Sequence, residues 1–359
     1  MKICFYSPYI PKHAGGGEKH LLDVALVVAK KHQVVIVIPE KEELDIPEIV
    51  SKYEEFMGTS LSDIQFVKAP LQNGTILKKL VWTAGFDALY CVTDGSLFFS
   101  LARKNYLHIQ IPLQLDKSSI IDRLKLKNWS HINTNSEFTK KVIEKSWHVH
   151  VDTVLYPQVQ VPKKLIKEKD KVILHVGRFF KHLHAKRQDI LVDIFRRLTE
   201  RHPKVTKGWK LILVGQVEDQ KYFEELQAQA KGLPIEFVPN ATHSQLEEYY
   251  KKAAVYWHAT GFDVDEEKNP EKVEHFGITT VEAMAYSVVP VVLAKGGQPE
   301  ILGDLGTELS WSTREQCLTI TAELLKNKQY YQTIQQAAFK RAFLFDSTLF
   351  AAKVEELFS

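Results

Sequence analysis

Apolar runs alternate with helical patterns along most of the chain, and this alternation predicts the order of its elements. Residues 2–9 and 33–40 are short, continuously apolar runs, a pattern typical of parallel strands that are buried on both faces. Between them, residues 18–31 carry apolar side chains at helical spacing. The start of the chain is therefore predicted to form a β-α-β unit.

A second start of this kind begins at Lys171, where residues 171–180 form a buried strand pattern with a glycine near its end. Residues 189–202 then show the helical pattern. Further strand patterns cover residues 209–217, 234–240, 254–260 and 288–294. The simplest interpretation is an α/β fold with two separate doubly wound parallel sheets.

The stretch 154–164 carries two prolines and precedes the second start, so we place the domain boundary there. We expect a first domain over 1–160 and a second over 165–340. The last segment, 341–359, is expected to form a helix that packs back on the first domain. Asp346 or Ser347 could cap that helix.

Composition narrows the class of protein. The chain has 359 residues, 45% of them apolar, enough for two cores, and its net charge of +3 does not imply a nucleic-acid partner. Three scattered cysteines without a CxxC pair support neither a zinc knuckle nor a disulfide framework. No signal peptide is visible and no apolar run is long enough to span a bilayer, so we expect a cytoplasmic protein.

Two cations follow the first strand of the second domain. Arg178 ends the strand pattern and Lys186 lies in the following loop. A guanidinium fork and a lysine charge near one helix start suit a diphosphate. Because residues 178–187 are rich in basic side chains, an ordinary solvated basic loop is the alternative.

The stretch 273–292 contains two glutamates, Glu274 and Glu282, around a helix predicted to start near Gly277. The free N–H groups and the dipole of a helix start favour a bound anion. Glu282, in the early helix, could accept hydrogen bonds from the vicinal hydroxyls of a ribose. Glu274 would reach the other side of the same anion. The alternatives are a glutamate that complements the helix dipole and a loop carboxylate.

In the first domain, Gly16 and Gly17 lie in the first strand-to-helix loop, where glycines permit close approach to a phosphate or sugar. A tight turn is the alternative. Asp94 follows the strand pattern at 88–93, at another edge where a ligand could bind.

The pattern Glu-x7-Glu, with Phe-Gly after the first glutamate and Glu-Ala-Met-Ala at the second, resembles the signature of the retaining glycosyltransferases of family 4. These are GT-B enzymes with two Rossmann-like domains facing a cleft. The resemblance covers nearly the whole chain. It extends to GGGEKHLLDVAL, VGRFF, HAKRQDILVDIF, NSEFTKKVI, VLYPQV, YWHATGFDVDE and GGQPEIL.

The resemblance implies roles for individual residues. Arg178 and Lys186 would bind the donor diphosphate, Glu282 the nucleotide ribose, and Glu274 the transferred sugar. The amides of Phe276, Gly277 and Ile278 would contact the distal phosphate and sugar. The donor set is completed by Thr279, by Val238 near the nucleobase, and by Gly16 and Gly17.

An acceptor residue is less defined. Many family members carry a histidine after a first-domain strand, and this chain has YLHIQIP there. Matched from the tyrosine, His108 takes the position; matched from the proline, Gln110 does. Gln110 can hydrogen-bond a sugar hydroxyl but cannot act as a base. Both residues, with Asp94, are the acceptor candidates.

The implied activity is that of a retaining hexosyltransferase. It would move a sugar from GDP-mannose or a UDP-sugar to a hydroxyl acceptor, such as a lipid-linked glycan or polysaccharide precursor. The resemblance implies no required metal or other cofactor. Alternatives that share the fold are a non-catalytic sugar-nucleotide sensor, an epimerase and a phosphorylase.

Residues 116–129 mix four basic residues with apolar ones at helical spacing. A helix that lies on anionic lipid has this composition, and so does an ordinary amphipathic surface helix. A peripheral membrane contact through 116–129 is one expectation from the sequence.

Overall fold

A computed structural model describes residues 1–11, 15–182 and 184–359. It divides into two compact units. The first unit comprises Met1–Gln158 and Thr348–Ser359, and the second comprises Val159–Ser347.

Every strand pairing in both units is parallel. The strands are β1 (Lys2–Tyr6), β2 (Gln33–Pro39), β3 (Ile64–Ala69), β4 (Ala88–Thr93), β5 (Lys104–Ile109), β6 (His131–Thr134), β7 (Thr153–Val154), β8 (Val172–Val176), β9 (Lys210–Gly215), β10 (Ile235–Pro239), β11 (Val255–His258), β12 (Val289–Leu293) and β13 (Ser310–Trp311).

Helices connect these strands. They are α1 (Gly16–Ala29), α2 (Ile46–Met57), α3 (Ile76–Thr83), α4 (Ile120–Asn128), α5 (Glu137–Trp147), α6 (Gln188–Arg201), α7 (Gln220–Gln229), α8 (His243–Lys252), α9 (Ile278–Ala285), α10 (Gln298–Leu302), α11 (Gly306–Leu309), α12 (Arg314–Lys326), α13 (Lys328–Ala342) and α14 (Ser347–Leu357). Short 3₁₀ turns cover Pro270–Lys272, Gly303–Leu305 and Phe343–Phe345.

Both sheets have the doubly wound strand order. The first runs β3-β2-β1-β4-β5-β6-β7 and the second β10-β9-β8-β11-β12-β13. The order reverses beside β1 and beside β8, and ligands in such sheets bind at the carboxyl ends of the strands near that point. The prediction of two Rossmann-like sheets is confirmed.

Most of the central strands are buried along their whole length, which is why their sequences are continuously apolar. In the first unit, α1, α2 and α14 pack on one face of the sheet. Side chains of α3, α4 and α5 pack with the other face. This division follows from right-handed crossovers on either side of the switch point.

The C-terminal segment returns to the first unit. The last helix, α14, starts at Ser347, so Asp346 stands at the position before its first residue. Phe350 and Val354 of α14, with Phe358 just after it, are buried in the core that contains α1 and β1. Within the described ranges, no helix is long and apolar enough to cross a membrane.

Candidate active site

Glu274 and Lys186 form a close ion pair in the second unit. Lys186 Nζ lies 2.6 Å from Glu274 Oε2, and the two side chains are only 17% and 12% exposed. Lys186 lies in the loop between β8 and α6, and Glu274 lies in the loop between β11 and α9. Two residues that the sequence marked as candidates, 88 positions apart, are thus brought together.

Two histidines complete the surroundings of this carboxylate. His258, the last residue of β11, is buried and places Nε2 at 3.3 Å from Glu274 Oε2. His184 Nε2 lies 3.8 Å from Glu274 Oε1 and donates to the Val273 carbonyl at 2.7 Å. Burial lowers the pKa of both histidines, so they are neutral at pH 7 and His258 donates its Nε2–H to the carboxylate.

Opposing effects act on the ionisation of Glu274. Burial alone would raise its pKa, but the charge of Lys186, with contributions from His184 and His258, brings the pKa well below its usual value. Glu274 is therefore a carboxylate at neutral pH. A negative charge is held, nearly out of solvent, in the loop that leads into α9.

A glycine-rich turn after β12 holds this loop. The Gly297 N–H donates to the Glu274 carbonyl at 2.8 Å. A Cβ at Gly296 would overlap the same carbonyl oxygen, so the approach requires glycine. The amide of Gln298 donates to the Phe276 carbonyl at 3.3 Å and accepts from the Thr280 hydroxyl at 2.9 Å. Residues 296–298, more than 20 positions further along the chain, therefore hold the backbone around Glu274 in place.

The start of α9 has the geometry of an anion site. Gly277 has φ +113°, which favours glycine, and a Cβ there would overlap the Gln298 amide. Among the described residues no side chain caps this helix start. The first-turn N–H groups at Ile278 and Thr279 lie next to Glu274 in the chain, and such groups favour a bound anion. The ring of the neighbouring Phe276 packs on Phe345 at 5.5 Å.

Glu282 lies one turn further along α9, near the two buried tyrosines Tyr250 and Tyr256. The Tyr250 hydroxyl donates to Glu282 Oε2 at 2.9 Å and lies 3.4 Å from the Thr279 carbonyl. The Tyr256 hydroxyl pairs with Thr279 Oγ1 at 2.7 Å. Val238, at the end of β10, packs against the same apolar cluster that contains Tyr250.

The backbone just before Arg178 lies close to the Lys186 side chain, but the carboxylate beside the Arg178 guanidinium is Glu218 and not Glu274. A Cβ at the preceding Gly177 would lie 2.7 Å from Lys186 Cγ. The Arg178 guanidinium instead lies 3.2 Å from the Glu218 carboxylate and 5.2 Å from the centre of the Phe180 ring. Gln188 donates to the carbonyls of Gly177 and Arg178, which fixes the end of β8.

The loop 262–267 has the acidic sequence Phe-Asp-Val-Asp-Glu-Glu. Asp263 lies 3.8 Å from the Arg187 guanidinium, and Asp265 accepts the backbone N–H groups of residues 267 and 268. Asp265 therefore orders its own loop, and Asp263 links that loop to Arg187.

In the first unit, the structure brings two candidates together. Gly16 and Gly17 are the first residues of α1, and a Cβ at Gly17 would lie 2.9 Å from Gln110 Oε1. Gln110 follows the end of β5 and is partly exposed. Asp94, after β4, accepts from the backbone and hydroxyl of Ser96 at 3.0 and 2.6 Å.

His108 lies elsewhere, inside the core of the first unit. It is fully buried, hydrogen-bonds Asn133, and stacks on His20 with ring centres 3.9 Å apart. Burial lowers its pKa to about 4. Of the two residues that the sequence left open, Gln110 is the one that reaches the surface.

Sequence reasoning missed several residues of this site, namely His184, His258, Gln298, Tyr250 and Glu218. His258 carried a usable signal, because it ends a buried strand and such ends face the ligand in doubly wound sheets, and so did His184, which lies two residues before Lys186 in the same loop. The others contact the site from helices or loops that no local pattern connects to it.

Known proteins resemble this chain in sequence family and in fold. The family model described as glycosyl transferases group 1 matches residues 158–341. No curated protein sequence matches the chain.

Solved structures share the fold over the whole chain. Anabaena Alr3699/HepE, crystallised with UDP and glucose, is 17% identical with a TM-score of 0.68, covering 100% of this chain and 99% of its own. A glycosyltransferase from Rickettsia africae ESF-5 is 15% identical with a TM-score of 0.71, covering 99% and 97%. The lipopolysaccharide outer core galactosyltransferase WaaB is 14% identical with a TM-score of 0.64, covering 98% and 97%. At these identities, the likeness establishes the GT-B fold.

Proposed function

The chain belongs to the glycosyl transferases group 1 family and is a glycosyltransferase of GT-B fold, and from this we propose that it moves a sugar from a nucleoside-diphosphate sugar to a hydroxyl, with retention of anomeric configuration, as in family 4. The observation that carries the proposal is the buried ion pair of Lys186 and Glu274 beside the uncapped start of α9.

Binding of the donor begins with an exchange of partners. A diphosphate at the start of α9 brings negative charge that competes with Glu274 for Lys186 Nζ. The Arg178 guanidinium, now 3.2 Å from Glu218, is exposed enough to turn toward the same phosphates. Bidentate arginine contacts and helix N–H groups then hold the leaving group.

In the proposed reaction, negative charge develops on the leaving diphosphate. The bond between the anomeric carbon and the phosphate oxygen breaks, and the acceptor oxygen bonds to that carbon from the same face. The acceptor proton passes to the leaving phosphate. Lys186, Arg178 and the amides of Phe276, Gly277 and Ile278 stabilise the negative charge on the diphosphate.

Glu274 acts on the other partner of this cleavage. When Lys186 turns to the phosphate, the carboxylate keeps the hydrogen bond from His258 and faces a sugar that gains positive charge. A fixed negative charge in a site that excludes water stabilises such a sugar strongly. We assign Glu274 to the transferred sugar and its transition state.

The nucleoside lies further along α9 in this proposal. Glu282, oriented by Tyr250, accepts the ribose hydroxyls, and Val238 with the end of β10 borders the base. The side chain of Thr279 is oriented by Tyr256 between these two regions.

Two donor classes fit the proposal. The resemblance of the sequence is closest to the branch that uses GDP-mannose, whereas HepE was crystallised with UDP and glucose. We propose a UDP-sugar or GDP-mannose as donor, and UDP-sugars are the first to test. No metal or other cofactor is part of the proposed reaction.

The acceptor is assigned to the first unit. Gln110, next to Gly17, can hydrogen-bond a sugar hydroxyl, and Asp94 lies at a neighbouring strand end. We propose a glycan or lipid-linked acceptor, for a protein that works in the cytoplasm and touches a membrane through 116–129.

The test is nucleotide release from a panel of UDP-, GDP- and ADP-sugars, with and without lipid-linked acceptors. Release from one donor, lost in Glu274→Ala and Arg178→Ala, supports the transferase and names the donor. Arg201→Ala, which removes an exposed ion pair with Glu315 in the same unit, is the matched control and keeps activity. Tight binding of one sugar nucleotide without turnover on any acceptor would indicate a sensor instead.

A further inference from the structure

The helix α4 turns its apolar side away from the core. Ile120, Ile121 and Leu124 are 79%, 62% and 52% exposed, whereas Leu126 and Trp129 are buried. An ordinary amphipathic surface helix buries its larger apolar stripe. In α4 the larger apolar stripe has no partner within the described part of the chain.

The helix α3 also exposes its large apolar side chains. Ile76, Leu77 and Val81 are 68%, 71% and 67% exposed. Leu77 and Val81 are one turn apart, so they lie on the same helical face. The sequence of α3 gave no reason to single it out, because its apolar residues suit a buried helix equally well.

The two helices are neighbours on one face of the first sheet. Trp82 of α3 and Leu126 of α4 pack against the same core, together with Trp129. The loop between β4 and β5 joins them: the Leu101 N–H donates to Thr83 Oγ1 at 2.9 Å, and Ser100 exchanges two hydrogen bonds with Asn128. Because both helices pack on the same face, their outward sides look away from the sheet in the same direction.

This outward side is also basic. The ranges 76–83 and 116–129 together carry six lysines and arginines against two aspartates. Lys78, Arg123 and Lys127 are exposed. Burial lowers the pKa of Lys79, and the charge of Lys125 on α4 lowers it further.

We propose that this α3–α4 surface, the exposed side chains of Ile76, Leu77, Val81, Ile120, Ile121 and Leu124 with their surrounding cations, binds an anionic lipid bilayer. Exposed apolar side chains ringed by lysine and arginine match the boundary between acyl chains and anionic headgroups. Two helices bring six apolar side chains to one side of the unit, where 116–129 alone brings three. The inference deepens the proposed function, on which its link to a lipid-linked acceptor rests.

The experiment is vesicle flotation with the full chain. Vesicles of phosphatidylcholine mixed with phosphatidylglycerol should retain the protein, and vesicles of phosphatidylcholine alone should retain much less. The double variants L77S/V81S on α3 and I120S/L124S on α4 should each weaken binding by about tenfold or more, since the altered side chains are mostly exposed and their loss costs the core little. Removing Lys78 or Lys127 should weaken binding about fivefold per charge.

The matched control is Leu349→Ser, an apolar residue that is 48% exposed on α14, which packs on the opposite face of the same sheet. It should bind as the unaltered protein does. Equal binding by L77S/V81S would remove α3 from the surface and overturn the proposal. A lipid-independent dimer that both double variants dissociate, seen by analytical ultracentrifugation, would also overturn it, because a second copy would then cover this surface.

Failure of this inference is separable from failure of the proposed function. Flotation needs no donor and no turnover, and nucleotide binding can be measured without lipid. A chain that binds a sugar nucleotide but not vesicles loses only the membrane surface. A chain that binds vesicles through α3 and α4 without turnover loses only the transferase.

Discussion

Both units bury histidines, but they surround them with different partners. In the first unit, His20 and His108 stack on each other and bond Tyr90 and Asn133, all neutral groups inside a closed core. In the second, His258 borders the buried ion pair of Glu274 and Lys186. The two sheets share their topology, so the topology alone does not decide whether a charged pair lies beside a buried histidine. The residues at the strand ends decide it.

The N-terminal ends of α1 and α9 differ as well, in how tightly the glycine there is packed. A Cβ at Gly16 would meet no atom of the described residues within 4 Å, whereas Gly277 has φ +113° and its Cβ would overlap a buried amide. A Cβ at the first glycine would therefore fit among the described residues. The second is required by the packing of α9, whose loop also carries Glu274.

The largest expected effect comes from neutralising the ion pair. Glu274→Gln should lower the rate of nucleotide release about 10²- to 10³-fold, because a charge that stabilises the transition state is lost. Donor affinity should not fall, since Lys186 no longer has a competing carboxylate. Steady-state kinetics separates the two effects. Glu315→Gln, in an exposed pair of the second unit, is the control, and a rate for Glu274→Gln within about threefold of the unaltered enzyme would refute the role.

The second-largest expected effect is a difference in the free energy of unfolding between alanine variants of Gly277 and Gly16. Gly277→Ala should lower the free energy of unfolding by about 2–4 kcal/mol, from the positive φ and the displaced Gln298 amide, and should abolish donor binding. Gly16→Ala should change it by less than about 0.5 kcal/mol. Urea unfolding measures both. Equal losses in the two variants would mean that the helix starts do not differ as described.

The neutral cluster of the first unit predicts a pH dependence. The pKa of His108 is about 4 in the folded state against 6.5 normally, so the unfolded chain takes up the proton first as pH falls. Stability present above pH 6.5 is lost toward pH 4, and His108 accounts for about 2 kcal/mol of that loss between pH 7 and pH 5.

Urea midpoints across this pH range test the assignment. In His108→Gln, the free energy of unfolding should fall less steeply between pH 7 and pH 5, even if its value at pH 7 is lower than in the unaltered protein. His150→Gln, which removes a histidine that is 77% exposed in the same unit, is the control. An unaltered slope in His108→Gln would show that other groups carry the dependence.

The smallest effect is expected at the acceptor edge. Gln110→Ala removes one partly exposed hydrogen-bonding group next to Gly17, so the KM for the acceptor should rise about 3- to 10-fold with kcat and stability nearly unchanged. A fall in kcat without a change in KM would place Gln110 in the chemistry instead. Either result sharpens how the first unit contributes.

The fold could be predicted because continuous apolar runs such as 33–40 have one good solution, a strand buried on both faces. Element ends were less predictable. The pattern 171–180 extends past β8, which stops at Val176, because Gln188 fixes the carbonyls of the next two residues. The start of α1 lies before the predicted helix, because the Glu18 carboxylate accepts the Gly15 N–H.

The site was predictable only in part. Glu274, Lys186 and Glu282 carry a motif, but the partners of these residues depend on packing. His258, Tyr250 and Gln298 reach them from a strand, a helix and a turn whose mutual positions no local pattern contains. The same limit applied to 116–129, where periodicity shows an apolar stripe but not which way it faces.

The turn at Gly296 and Gly297 has a consequence for exchanging parts between relatives. The Gly297 N–H of this turn donates to the Glu274 carbonyl, and the Gln298 amide donates to the Phe276 carbonyl. A chimera that imports 273–282 to change donor preference must therefore import 294–298 as well, as one cassette. Insertions in that second segment, though it is distant along the chain, should be tolerated as poorly as insertions between the two glutamates themselves.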